Sequence, residues 1–214
     1  MRKVLLGVVA MSVLLTGQSF AATIDFRKPV WNPHGSNEQT VGQVSAIAID
    51  GPRDVSLFWA TDDGFGVDGG RNDRERDEIN NNEELAITFA SPFLVTGFLV
   101  TDLFANETLD GRTFNERGQF RINGGNWITF TGTQNSGASN GELAVNFAGV
   151  LVSLLEFRAA PGGMLDPQGL RNDFSVATIE FTPAAVPEPT SMLLLGSGIC
   201  GVVAKVRNKR KLRQ

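Results

Sequence analysis

The chain has 214 residues and a formal net charge of −4, with a single cysteine, a single histidine and no tyrosine. No zinc-ligand pattern occurs, and a Ser/His/Asp or Cys/His centre would rest on His34 alone, in the loop-forming stretch Asn32-Pro33-His34-Gly35-Ser36. With no phosphate loop or dinucleotide fingerprint either, the expectation is a non-enzyme.

At the N-terminus Arg2 and Lys3 precede an apolar run over 4–15 and a small-residue stretch ending Ser19-Phe20-Ala21-Ala22. That order of parts is a secretory signal peptide, assigned to 1–21. Signal peptidase needs small side chains one and three residues before its cut. Ala21 and Ser19 meet that need, whereas a cut after Ala22 would have to accommodate Phe20.

The stretch from 22 to 189 holds 11 Lys and Arg against 23 Asp and Glu, a net charge of −12. Nucleic acid and anionic lipid are repelled by such a surface, which leaves cations, basic surfaces and neutral glycans as partners. The one cysteine, Cys200, lies outside this stretch, so the body has no disulfide and relies on its core.

Apolar residues in the body recur with a period of two. Strands are expected over 44–49, 55–61, 85–89, 93–103, 119–122, 127–131, 142–147, 151–158 and 174–182. Asn123-Gly124-Gly125-Asn126 between two such runs reads as a hairpin turn, and Asp110-Gly111, Asn140-Gly141 and Pro161-Gly162-Gly163 as further turns. No sustained helical pattern occurs. The expected fold of 22–183 is therefore all-β, an antiparallel β-sandwich of jelly-roll type with Phe-rich strands filling the space between two sheets.

One segment of the body is unusually acidic: nine carboxylates and three arginines lie between Asp62 and Glu84. Hard cations take six to eight oxygen ligands, and a Gly-rich loop lets carboxylates converge. Asp62, Asp63, Asp68, Asp73, Asp77 and Glu78 are the candidate ligands of a structural Ca²⁺. An EF-hand is rejected, because Glu78 stands where that loop requires glycine and strands flank the segment. For glycans, an exposed aromatic ring on a sandwich face is the usual platform. Trp127, beside the hairpin turn, and Trp31 are the candidates, whereas Trp59 lies inside the apolar run Leu57-Phe58-Trp59.

The C-terminus begins with Val186, Pro187, Glu188, Pro189 and Thr190. Prolines two apart forbid both helix and ladder pairing, giving an extended spacer. An almost wholly apolar run over 192–204 follows, then Lys205, Arg207, Lys209, Arg210, Lys211 and Arg213 with no acid among them. The basic cluster is expected to stay cytoplasmic, so both termini face inward and the body between them is translocated. Because the apolar run falls short of the ~20 residues that span a bilayer comfortably, the membrane helix would be a temporary anchor.

Pro187-Glu188-Pro189, a short Leu/Gly-rich membrane segment and a basic end, in that order, resemble the PEP-CTERM sorting signal, here over 184–214. That resemblance implies recognition and C-terminal processing by an exosortase-like membrane protease, and a bacterial cell that makes extracellular polysaccharide in a biofilm or floc. The whole reads as a secreted or cell-surface protein, transiently held in the inner membrane. Its body is either a structural component of a polysaccharide-containing matrix or a carbohydrate-binding module with a calcium site.

Overall fold

A computed structural model of the chain describes residues 22–50, 55–69, 77–80, 82–109, 111–137, 140–162 and 172–182. The described residues are all-β. In chain order the strands are β1 (Ala22–Asp25), β2 (Glu38–Val41), β3 (Val44–Ile49), β4 (Ser56–Ala60), β5 (Gly64–Asp68) and β6 (Glu84–Thr101). They continue with β7 (Phe104–Ala105), β8 (Glu107–Leu109), β9 (Arg112–Phe114), β10 (Arg117–Ile122), β11 (Ile128–Thr131), β12 (Gln134–Asn135), β13 (Leu143–Ala159) and β14 (Ser175–Thr182). A single 3-10 turn over Pro29–Trp31 is the only helical element among them.

Two strands of 18 and 17 residues, β6 and β13, organise the rest. The first part of β6 pairs with β3, from Val44↔Phe89 to Ile49↔Glu84, and with the C-terminal part of β13, from Leu154↔Thr88 to Arg158↔Glu84. Its second part pairs with β14, from Ser175↔Thr101 to Thr182↔Leu94, and with the N-terminal part of β13. One wing is thus β2-β3-β6-β13-β10-β11. The other is β13-β6-β14, extended by β1, β5 and β4. The Ser91-Pro92 step lies between the wings, where β6 has no ladder partner on either side, so proline's missing N–H costs nothing there. Runs read from the sequence as separate strands, 85–89 with 93–103 and 142–147 with 151–158, are single strands that bend, β6 at this step and β13 at the irregularity between Asn146 and Val150.

Instead of two separate sheets, the ten larger strands form one hydrogen-bonded network. Ring contacts join its wings across the interior. Phe98, from the second part of β6, lies 4.9 Å from Phe120 and 5.0 Å from Phe157, which pair with each other on β10 and β13 of the other wing. Phe130 adds a further contact at 5.6 Å. A second cluster is formed by Phe26, Trp31 and Phe65, with ring separations of 5.0 to 5.9 Å. Edge-to-face arrangements predominate, as the ring quadrupole favours.

The Asn123-Gly124 turn joins β10 to β11 with φ of 50° and 71°, the left-handed geometry that its sequence demands. Its Asn123 side chain also reaches β13, donating to the Leu151 carbonyl (2.9 Å) and accepting from the Ser153 and Leu154 N–H groups (2.9 and 3.1 Å).

Candidate functional site

Residues 64–68, read from the sequence as part of an acidic loop, form a buried strand. Glycine explains the difference. A Cβ on Gly66 would overlap the Asp77 carbonyl, so only glycine lets β5 pass so close to the neighbouring chain. The six candidate calcium ligands are dispersed in consequence. Asp62 is exposed on the turn before β5, and Asp63 is half-buried. Asp68 ends the strand, Asp77 is exposed, Glu78 is half-buried, and Asp73 lies outside the described residues. Among the described residues no group of three or more His, Cys, Asp or Glu could hold a metal ion. Asp62 opens instead onto a polar surface depression that it shares with Asp25, Arg27, Lys28, Asn140 and Glu142.

Carboxyl groups do meet in smaller sets where β5, β6 and β14 converge. Thr101 donates to the Asp63 carbonyl (3.0 Å) and Ser175 to the Asp77 carbonyl (3.1 Å), fixing the backbone around them. Asp63 and Asp102 share a hydrogen bond between their carboxyl groups, and Asp173 bonds both Glu78 and Glu116. Burial, then the charge and hydrogen bond of Asp63, push Asp102 up to about 7. Burial, with Asp173, Asp102 and Asp77 adding to it, pushes Glu78 to about 10. Burial and Asp173 together push Glu116 to about 12, against the opposing donation from the Phe104 N–H at 2.5 Å. Two acids can share a hydrogen bond only if a proton sits between them. Asp102, Asp173 and Glu116 went unnoticed in the sequence because 39 or more residues separate Asp63 from each of them.

A pH dependence follows. These folded-state values all lie above those of the unfolded chain, so the native state holds more protons and stability falls as pH rises. The contribution is complete below about pH 4 and is lost progressively as pH rises, through Asp102 until about pH 7 and through Glu78 until about pH 10. Thermal melts should give a melting temperature several degrees lower at pH 9 than at pH 5. In an Asp102→Asn, Glu116→Gln double variant the slope should flatten; an unchanged slope would refute the proton-sharing geometry.

The outer face of the other wing carries a charged ladder. Register sets Arg121 opposite Glu156, Gln119 opposite Arg158, and Arg158 opposite Glu84 across β10, β13 and β6. Arg121 grips Glu156 with two hydrogen bonds, Nε to Oε2 at 2.7 Å and Nη2 to Oε1 at 2.6 Å, a geometry that raises the Arg121 pKa further. Arg158 donates to Gln119 (3.0 Å), and Glu84 lies 3.9 Å from both guanidinium groups. The half-exposed indole of Trp127 receives Arg121 at 4.4 Å and Arg158 at 4.0 Å from its ring centre. The sequence carried a signal for this ladder in the alternation Gln119/Arg121 and Glu156/Arg158 within otherwise apolar runs.

The other glycan candidate is corrected. Trp31 is only 5% exposed, its ring packed against Phe26 and Phe65, and a ring in the core offers no face to a sugar. Trp59 is half-buried and donates its indole N–H to the Phe26 carbonyl at 2.6 Å. His34 is exposed in its loop, where its N–H donates to the Asn32 side chain at 2.9 Å.

The sorting residues Pro187, Glu188 and Pro189, the apolar run and the basic cluster lie outside the described residues, as does 1–21. Among the described residues no helix is long and apolar enough to cross a membrane. The PEP-CTERM protein-sorting motif family matches residues 185–211 of this chain. A search of curated proteins finds no match. The chain therefore carries a PEP-CTERM sorting motif, which addresses it to export and cell-surface sorting by an exosortase-type partner.

Proposed function

We propose that this chain is a structural component of the cell surface or of a polysaccharide-containing matrix, delivered there through its C-terminal motif. The observation that carries the reading is the match at 185–211, which begins three residues after β14 ends at Thr182. In this account signal peptidase removes 1–21, and Ala22, the first residue of β1, becomes the new N-terminus. The apolar run over 192–204 then holds the chain in the inner membrane until the sorting protease cuts near Pro187-Glu188-Pro189. The two wings act as the layers of a sandwich, and its acidic surface keeps the displayed body soluble and away from anionic lipid. A Pro187→Ala, Pro189→Ala variant should accumulate with its tail attached, read by immunoblot of membrane and secreted fractions; normal release of that variant would refute the role of the motif.

A second reading, a carbohydrate-binding body, draws on Trp127, a half-exposed tryptophan on a polar sheet face. Trp127→Ala should weaken binding to extracellular polysaccharide about five- to thirtyfold, because stacking on one ring is worth about 1 to 2 kcal/mol. Retention by the variant equal to that of the parent would sink it. The calcium site attached to this reading would need Asp73, the candidate outside the described residues, because the described acids by themselves do not assemble a ligand shell. Ca²⁺ should then raise the melting temperature at pH 8 relative to a chelator control, and no shift would remove it.

A further inference from the structure

The N-terminal part of β13 is a sheet edge. From 143 to 152 it pairs on one side with β6, while β10 reaches β13 only from Leu155 onward. Native sheets guard such edges with charge, proline or cover, because a row of unpaired N–H and C=O groups templates another strand. Asn123 caps the carbonyl of Leu151, but no described strand pairs with the outer side of 143–150. From Leu143 to Leu155 there is no charged residue and no proline, within a body of net charge −12. Ala144, Asn146, Ala148 and Gly149 are exposed along it, and Val150 (41%) and Leu151 (57%) are two of the most exposed large apolar residues. Phe147 anchors the strand from within by stacking on Phe120 at 5.8 Å.

We propose that this edge joins two copies of the exported body, antiparallel, about a two-fold axis through Ala144. The pairing extends the second wing across both copies. Charge selects the occupant. Every acidic face of the body repels a copy, and the uncharged edge is where that repulsion is weakest, whereas a basic partner would be drawn to the acidic faces. In this register Ala144 meets its own copy, Leu143 meets Val145 and Glu142 meets Asn146, so no acid faces an acid. The small side chain at 144 permits close approach, and the extra residues of β13 between Asn146 and Val150 confine regular pairing to 142–146. Sorting into one membrane would also place copies in a common plane and raise their effective concentration. The inference deepens the surface-component reading by giving that component a contact.

Sedimentation velocity of the exported protein between 0.05 and 0.5 M NaCl tests it. Screening of like-charged bodies should raise the association constant about tenfold over that range, the opposite of what binding to a basic partner would do. Ala144→Lys and Ala144→Glu, at an exposed position where each copy meets the same residue of the other, should each lower association at least tenfold with an unchanged melting temperature. Thr131→Lys, on the edge of β11, should leave it alone. A monomer at every salt concentration up to about 200 µM protein, which excludes any dimer with a Kd below that level, would overturn the proposal, as would association that survives both edge variants or weakens with salt. Export and tail processing are read separately by mass, so a failure of sorting is not confused with a failure of the edge.

Discussion

Gly64→Ala should cost the body about 4 kcal/mol and lower its melting temperature by about 10 °C or more. Two penalties combine at this position. Gly64 has φ of +104°, a conformation L residues rarely adopt, worth about 1 to 2 kcal/mol by itself. An added Cβ would also overlap the Val176 carbonyl and come within 2.8 Å of the Ala177 Cα, both backbone atoms of β14 that cannot rotate away. Against a net stability of about 5 to 15 kcal/mol, that loss is a large fraction of the whole. Gly42→Ala supplies the control, because Gly42 has φ of +62° but nothing within 4 Å of the added Cβ. Its cost should be only the conformational part. Equal melting temperatures for the two variants would show that β5 does not pack against β14 as described.

Phe98→Ala should be comparably damaging, at about 3 to 5 kcal/mol. The side chain is 1% exposed and stands among Phe120, Phe130, Phe147 and Phe157. Removing it opens a cavity at the point where the two wings meet, and the surrounding rings are too rigid to collapse into it. Phe98→Leu should recover most of the loss, since it restores volume without the ring contacts. Urea denaturation of both variants gives the comparison; a Phe98→Ala midpoint near that of the parent would mean the wings are held by something other than this cluster.

How far the sequence revealed this fold depended on whether local pattern or distant contact decided a segment. Alternation in 44–49 and 119–122 was strong enough to place β3 and β10 within a residue or two, and the Asn123-Gly124 turn fell where its left-handed preference put it. The runs 85–89 and 93–103 join into one strand across Ser91-Pro92, because proline breaks a strand only if its N–H is needed by a neighbour, and here the bend leaves no neighbour. Gly64-Phe65-Gly66-Val67-Asp68 misled. Glycines that suit a loop were there so that β5 could lie against Asp77 and Val176, a requirement set by residues far along the chain. The same remoteness hid the carboxyl pairs Asp63–Asp102 and Glu78–Asp173, while the charges nearest in sequence to Asp63 were taken for its partners. Trp31 carried no local sign of burial, since Phe26 and Phe65 reach it only in the folded body. At the C-terminus the order of parts alone, spacer, apolar run and basic end, identified the sorting motif without any tertiary contact.

The central claim is the sorting route, and the intact mass of the protein recovered from the cell surface or medium tests it most directly. Cells with the sorting protease should yield a species that begins at Ala22 and lacks the apolar run and the basic residues from Lys205 to Arg213, whereas cells without it should retain the tail in the membrane fraction. A surface or secreted species still ending at Gln214 in the presence of the protease, or an identical mass and location in its absence, would contradict the account.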